Sequence, residues 1–297
     1  MNDGTRKTAL GSSAPGEAGA GMMPITEKEF QLLREMIHRR FGITLSDQKR
    51  SLLVGRLQKL LRSSGFGTFG EYYDFLVQDK TEAALSDLVD RISTNHTHFN
   101  REKAHFDYFS ETALPNVIAR LKQENRRDLR IWCAGCSSGE EPYMLLMLMM
   151  EYLGSEYSSW NAGILATDIS DRVLTAAKAA VYPEERVALV PEHLRRKYFQ
   201  PQGPGQWVVR EQVRKEATFR RLNLMNETFP FKRPFQIIFC RNVMIYFDQP
   251  TREALVRKFH HHTEPGGYLF IGHSETLGRE QSLYRYLMPA TYRKGEA

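Results

Sequence analysis

The stretch Leu129-Arg130-Ile131-Trp132-Cys133-Ala134-Gly135-Cys136-Ser137-Ser138-Gly139-Glu140-Glu141-Pro142-Tyr143 reads as a short apolar strand, a turn of small residues and a helix opened by two acids and a proline. Pro142 has no N–H to lose in a first helical turn, so it marks the helix start. Gly135 and Gly139 permit backbone torsions that a β-carbon would block. Such a strand–turn–helix unit presents backbone donors to a ligand above the strand's end. The G-x-G-x-x-G of dinucleotide sites is missing. Glu140 at the helix N-terminus would repel a pyrophosphate, and suits a ligand offering hydroxyls or positive charge. That points to S-adenosylmethionine rather than NAD.

At 297 residues, 41% apolar and 26% charged, the chain has the make-up of a soluble globular protein of one large domain or two smaller ones. The longest apolar run, Tyr143 to Met150, is far too short to span a bilayer. Residues 1–24 have no apolar core, so no secretory signal is expected. Three cysteines, one of them necessarily unpaired, fit a reducing cytoplasm. The net charge of +6 permits an acidic partner without identifying one.

Residues 1–24 are dominated by Gly, Ala and Ser between Gly11 and Gly21 and are expected to be a disordered tail. Residues 25–92 read as an all-helical domain with short connections. Thr26 with Glu29 forms a capping box, Phe30, Leu33 and Ile37 follow at helical spacing, and Gly42 stops the helix. Ser46 opens a second helix with Leu52, Leu53, Leu57, Leu60 and Leu61 on its apolar side; Thr68 and Thr81 open a third and a fourth. The second helix, residues 46–62, carries Lys49, Arg50, Arg56, Lys59 and Arg62. These cations are either a solvated face or a docking surface for an acidic partner. No aromatic-interleaved pattern accompanies them, so nucleic acid is not expected.

Residues 93–127 read as a polar linker loop followed by a helix. His96 and His98 in that loop have no cluster of Cys, His and acids beside them, so no metal site is expected. Residues 128–297 read as an open, mostly parallel sheet with crossover helices. Its second strand, Ala162 to Asp168, ends in an acid, the position that holds a ribose diol in nucleotide-binding α/β folds. An insertion at about 183–215 departs from that alternation: a helix at Pro191 to Phe199, then Trp207 to Val209 and the Val213 region alternating like a hairpin. Phe235 to Cys240 is a continuous apolar run, as a buried parallel strand requires. A Gly266-Gly267 turn, a strand from Tyr268 and a last strand pair near 283–293 complete the sheet. Glu140, Asp168, Asn223 and Arg241 gather at the carboxyl ends of strands, where such sheets bind ligands.

Five motifs then occur in order: Thr94-Asn95-x-Thr97-x-Phe99-x-Arg101-Glu102, Cys133-Ala134-x-x-Ser137-x-Gly139-Glu140-Glu141-Pro142-Tyr143, Ala166-Thr167-Asp168-Ile169-Ser170, Phe239-Cys240-Arg241-Asn242-Val243-Met244-Ile245-Tyr246-Phe247 and Gly272-His273-Ser274-Glu275. Together they resemble the bacterial chemotaxis receptor methyltransferases, the CheR family, over about residues 25–293. His98 and Asn100 depart from that pattern, standing where many relatives carry bulky apolar or aromatic residues.

The resemblance implies a Rossmann-like S-adenosylmethionine-dependent methyltransferase domain of α/β class, with an N-terminal all-helical domain and a small inserted antiparallel β-subdomain. It implies methyl transfer from S-adenosylmethionine to glutamate side chains of chemoreceptors, leaving S-adenosylhomocysteine and glutamyl methyl esters. Carried over by matching position, Asn95, Thr97, Arg101, Glu140, Asp168, Asn223, Leu224, Arg241 and Asn242 line the cofactor pocket, and Arg101 and Tyr246 act on the reacting groups. Chemoreceptor helices, docked by the basic helix, are the expected partner, and the enzyme is expected to be a cytoplasmic monomer. In part of the family the β-subdomain grips a receptor's C-terminal peptide as an added strand. The connection between Phe199 and Trp207 is short and carries Pro201 and Pro204, so dependence on that tether is not expected here.

Two rivals follow from the same residues. Cys133 and Cys136 match a C-x-x-C redox pair, but Cys133 ends a strand, whereas a redox pair would start a helix. The fold and the basic helix would suit a nucleic-acid or small-molecule methyltransferase. Base-amino methyltransferases usually carry an Asn/Asp-Pro-Pro-aromatic motif after the fourth strand, where Arg241-Asn242-Val243-Met244 stands instead.

Overall fold

The computed structural model describes residues 23–81, 83–93, 95–277 and 283–296. Most of the expected tail, and Thr94 of the loop motif, lie outside them. Four helices build the first domain: α1 (Glu27–Phe41), α2 (Arg50–Ser63), α3 (Phe69–Gln78) and α4 (Ala83–Ile92). The capping box forms, with Glu29 N donating to Thr26 Oγ1 at 3.2 Å and Thr26 N to Glu29 Oε2 at 2.8 Å. Gly42 closes α1 in the left-handed region, at φ 71°. Phe30, Leu33, Ile37, Leu53, Leu57, Leu61, Leu88 and Val89 fill the core between the helices. Leu52 is 43% exposed. Adjacent residues on a helix point about 100° apart, and Leu53 takes the inward position.

The second domain begins with α5 (Lys103–Tyr108) and α6 (Leu114–Gln123), joined by a π-helical turn at Phe109–Ala113. The residues read from sequence as one helix after a linker thus form one unbroken helical run with a π-helical turn inside it, and Pro115 enters the first turn of its second α-helical stretch. Phe106, Phe109, Val117, Ile118 and Leu121 lie in the same buried cluster as Ile131 and Phe239 of the sheet. By packing, this segment is part of the larger domain.

The sheet strands are β1 (Asp128–Ala134), β2 (Asn161–Asp168), β6 (Ala217–Arg221), β7 (Phe235–Cys240), β8 (Thr263–Ile271), β9 (Tyr284–Met288) and β10 (Thr291–Lys294). They lie in the order β6-β2-β1-β7-β8-β10-β9, the first five parallel and β10 antiparallel to both neighbours. The order reverses at β1, so the carboxyl ends of β1, β2 and β7 border one crevice. Crossover helices α7 (Glu140–Leu153), α8 (Asp171–Ala179) and α12 (Gln249–His262) cover the faces. Gly266 and Gly267, expected to turn, lie inside β8, where the pairing with β7 shifts register. A β-carbon on Gly267 would lie 2.8 Å from the carbonyls of Gln236 and Glu264.

The insertion is a three-stranded antiparallel sheet of β3 (Val181–Pro183), β4 (Phe199–Pro201) and β5 (Gln206–Val209), with β5 in the middle. Short helices α9 (Glu184–Val187), α10 (Glu192–Tyr198) and α11 (Glu211–Arg214) accompany it. The hairpin therefore pairs β4 with β5. Val213, expected to continue the alternation, is instead buried on α11, where Val213 N and Arg214 N both bond back to Arg210 O.

Main-chain and side-chain bonds join the two domains. Thr44 N donates to Tyr246 O at 2.8 Å, Ile43 bridges to Phe247, and Asn223 Nδ2 donates to Arg40 O at 2.7 Å. His38 Nε2 meets Asp248 Oδ2 at 2.8 Å, and Asp248 also caps α12 by accepting from Thr251 N. No helix among the described residues is long and apolar enough to cross a membrane.

Candidate active site

The turn after β1 is shaped by three residues with positive φ, Gly135 at 84°, Ser137 at 47° and Gly139 at 95°. A β-carbon on Gly135 would lie 2.4 Å from Val243 Cγ2, so the turn meets the loop after β7 with no room to spare. Gly135 N and Cys136 N both donate to Thr167 O, at 2.7 and 2.9 Å. Ser137 N donates to Asp168 Oδ2 at 2.9 Å, and Ser170 N to Asp168 Oδ1 at 3.0 Å. The Asp168 carboxylate is thereby fixed by main-chain amides. Burial raises its pKa, and the Ser170, Ser137 and Ile169 amides only partly counter this.

The loop before α5 forms the second wall. Ser137 Oγ donates to Asn95 O at 3.2 Å, and Arg101 Nη1 to His96 O at 2.7 Å. Phe99 is buried edge-on against Tyr182 and Phe199, with ring centres 4.9 and 5.5 Å away. The loop thus rests on β3 and β4 as well as on the turn.

The third wall follows β7. Arg241 is buried between Glu141, at 2.7 Å, and Glu102, at 3.1 Å, and also donates to Arg101 O. Asn242 has φ 60°; its side chain donates to Glu102 Oε1 at 3.1 Å and its backbone to Glu275 Oε2 at 3.1 Å. Glu275 also accepts from Gly272 N and Ile245 N, so its carboxylate moulds the segment that carries Tyr246. Tyr246 in turn lies under the Lys49 ammonium, 5.9 Å from the ring centre. Asn223 has both ends of its amide engaged, by Arg40 O and by Met225 N. Behind this wall His105 is fully buried; burial, Arg241 and His273 bring its pKa down to about 4, against the opposing pull of Glu102 and the Pro289 main chain.

A cavity opens between these walls and the helical domain. Asn95, Thr97, Arg101, Asp168, Asn223, Leu224, Arg241, Asn242 and Tyr246 all line it. Glu140 does not. Its side chain is fully buried, bonded to Arg186 Nη1 and Ser138 Oγ at 2.7 Å each, and Glu141 lines the cavity instead. Sequence reasoning also missed Phe41, Ile43 and Ile92, which the helical domain contributes to the lining. Apolar residues at the ends of helices read as core, and nothing in the sequence says which edge of that core is open.

The residues present suit S-adenosylmethionine. Asp168 can accept from ribose hydroxyls, and Ile169, Leu222 and Val243 offer apolar surface for a base. The comparisons with known proteins decide the family. The CheR methyltransferase SAM binding domain matches residues 95–293, and the CheR methyltransferase all-alpha domain matches residues 28–93.

The chain belongs to the CheR methyltransferase family.

A chemotaxis protein methyltransferase of Borreliella burgdorferi is 44% identical over 270 residues, 91% of this chain and 95% of the relative. Chemotaxis protein methyltransferase 1 of Pseudomonas aeruginosa is 36% identical, covering 89% and 95% of the two chains. The Escherichia coli chemotaxis protein methyltransferase is 34% identical, covering 86% of each. This CheR chain is accordingly an S-adenosylmethionine-dependent methyltransferase, and the cavity at the carboxyl ends of β1, β2 and β7 is its candidate cofactor site.

Proposed function

We propose that this CheR-family enzyme transfers a methyl group to glutamate side-chain carboxylates of chemoreceptors, giving glutamyl methyl esters. One observation carries the reading: Arg101 and Tyr246 stand together on the lining of a cavity that also holds a fixed, buried Asp168. In this reading Asp168 takes the ribose hydroxyls, while Asn95, Thr97, Asn223, Leu224 and Asn242 complete the cofactor's surroundings. Arg241 acts from within the wall. Its guanidinium is already held by Glu141, Glu102 and Arg101 O, and fixes Arg101 in place.

Bound S-adenosylmethionine would supply an electrophilic methyl on a cationic sulfur. A glutamate carboxylate has a pKa of about 4.3, so it is ionised at neutral pH and needs no general base. The chain's task is positioning. Arg101 leaves the His96 carbonyl and pairs with the incoming carboxylate, for which its planar fork is suited. Tyr246 holds that carboxylate in line. The exposed cations Lys59 and Arg62 on α2, with Lys49 beside Tyr246, steer an acidic receptor helix to the opening.

The test is incubation with methyl-labelled S-adenosylmethionine and membranes bearing the host's chemoreceptors. Label should enter the receptors and leave as methanol in mild base. Label that survives base would place the methyl on another group and overturn the ester reading.

A further inference from the structure

Glu102, His105 and His273 bring one carboxylate and two imidazoles together outside the cavity lining. One ligand atom from each lies within 4.8 Å of the others, the single such group of three among the described residues. His105 is fully buried, and apart from the Pro289 main chain its ring nitrogens meet no hydrogen-bond partner of good geometry. Buried polar groups are almost always well hydrogen-bonded, so a sealed imidazole this poorly met requires an explanation. Its Nδ1 stands 3.4 Å from Glu102 Oε2. Zinc bonds of about 2.0–2.1 Å to nitrogen and oxygen, in tetrahedral geometry, set neighbouring ligand atoms about 3.4 Å apart. The spacing matches one edge of such a tetrahedron.

We propose that Glu102, His105 and His273 form a binding site for a divalent transition-metal ion, Zn²⁺ by the chemistry of the ligands. Glu102 caps the start of α5, its backbone in the left-handed region at φ 56°, and His105 lies in the helix's first turn three positions on. His273 comes from the turn after β8. Its main-chain N–H is 3.3 Å from both Glu102 oxygens, and its ring centre is 4.6 Å from that of His105. The exposed ring can complete the set by a rotamer change, leaving the fourth position to water. The carboxylate has the outer partners expected of a ligand, Asn242 on Oε1 and Arg241 on Oε2 at 3.1 Å each, and the His273 N–H shared between both oxygens at 3.3 Å is the longest of its bonds and the one a metal would displace. Two imidazoles and a carboxylate suit zinc better than the oxygen-seeking Mg²⁺ or Ca²⁺.

The site would pin the start of α5 to the turn after β8. The full chain, stripped of metal, is titrated with Zn²⁺ against a chromophoric chelator, and with Co²⁺ followed by visible absorption. We expect uptake of one tight equivalent, loss of at least about tenfold in affinity in His273→Ala, and loss of the tetrahedral Co²⁺ bands in the same variant. His261→Ala, which alters a separate histidine pair on α12, should match the parent. His273 is exposed, so its variant should fold. No zinc uptake, equal uptake by His273→Ala, or a loss seen in His261→Ala instead would each overturn the proposal.

Discussion

The Lys49 ammonium stands 5.9 Å above the ring of Tyr246, so the basic segment of the helical domain touches the lining of the candidate active site. The other cations of that segment are not equivalent. Arg50 is held by Glu27 and by Ile25 O, and Arg56 donates to Ile92 O at the end of α4. Both tie the helical domain together. Lys59 and Arg62 are exposed.

Reversing Lys59 and Arg62 together to Glu should raise the KM for receptor and leave cofactor affinity as it was. Steering by exposed charges is screened within about 10 Å at 0.1 M salt, so the gap between variant and parent should close as ionic strength rises. Initial-rate methylation assays across a salt series give the answer. Equal KM values at every salt concentration would return these cations to the status of a solvated face.

Asp168→Ala should weaken binding of S-adenosylhomocysteine by at least about 1.5 kcal/mol, the scale of a hydrogen bond to a charged group. The same change strands the amides of Ser137 and Ser170, so a lower melting temperature is expected alongside. Calorimetric titration of folded variant protein separates the two effects.

Glu140 and Glu141 should behave as different residues in spite of their adjacency. Glu141→Ala releases Arg241 and opens the wall at Arg101, so turnover should fall by more than about tenfold, or about 1.4 kcal/mol of barrier. Arg186→Ala leaves the buried Glu140 without its cation, and because the Arg186 side chain is itself 43% exposed the loss is smaller than for an enclosed pair. Its main effect should be on thermal unfolding, seen by calorimetry, with cofactor affinity changed less than in Asp168→Ala.

Asp248 sets a pH dependence. The Thr251 bonds, with the His38 contact, hold its carboxyl below the ordinary value against the opposing effect of burial. A carboxyl lowered in the folded state stabilises above the unfolded value, near 3.9, and loses that contribution as pH falls through the folded one. Asp248→Ala also removes a helix cap worth about 0.5–2 kcal/mol. The melting temperatures of parent and variant should therefore differ most near neutral pH and converge below about pH 4.

Local signals carried most of the architecture. The capping box at Thr26, the left-handed Gly42, the turn of small residues after β1 and the apolar run of β7 are each written within a few consecutive positions, and each folds as it reads. What failed was what neighbours decide. Two consecutive acids on a helix point to different places, and nothing near Glu140 in sequence says that Arg186 waits on one side. Gly266 and Gly267 have the composition of a turn, and only the pairing of β8 with β7, set by residues far away in sequence, makes them strand. Glu102 and His273 are 171 positions apart and meet because β8 ends beside α5. Such a pairing has no periodicity to betray it.

The β-subdomain's attachments limit how freely it can be exchanged. Phe99 is wedged between Tyr182 and Phe199, Tyr182 Oη donates to Ser138 O at 2.7 Å, and Arg186 reaches Glu140. All of these join the insertion to the turn and loop that border the cofactor cavity. A chimera that grafts residues 181–216 from a relative therefore imports three side chains on which that border leans. Recombination at those breakpoints should succeed only between parents that agree at Phe99 and Glu140, and lineages that trade this subdomain would have to carry those positions along with it.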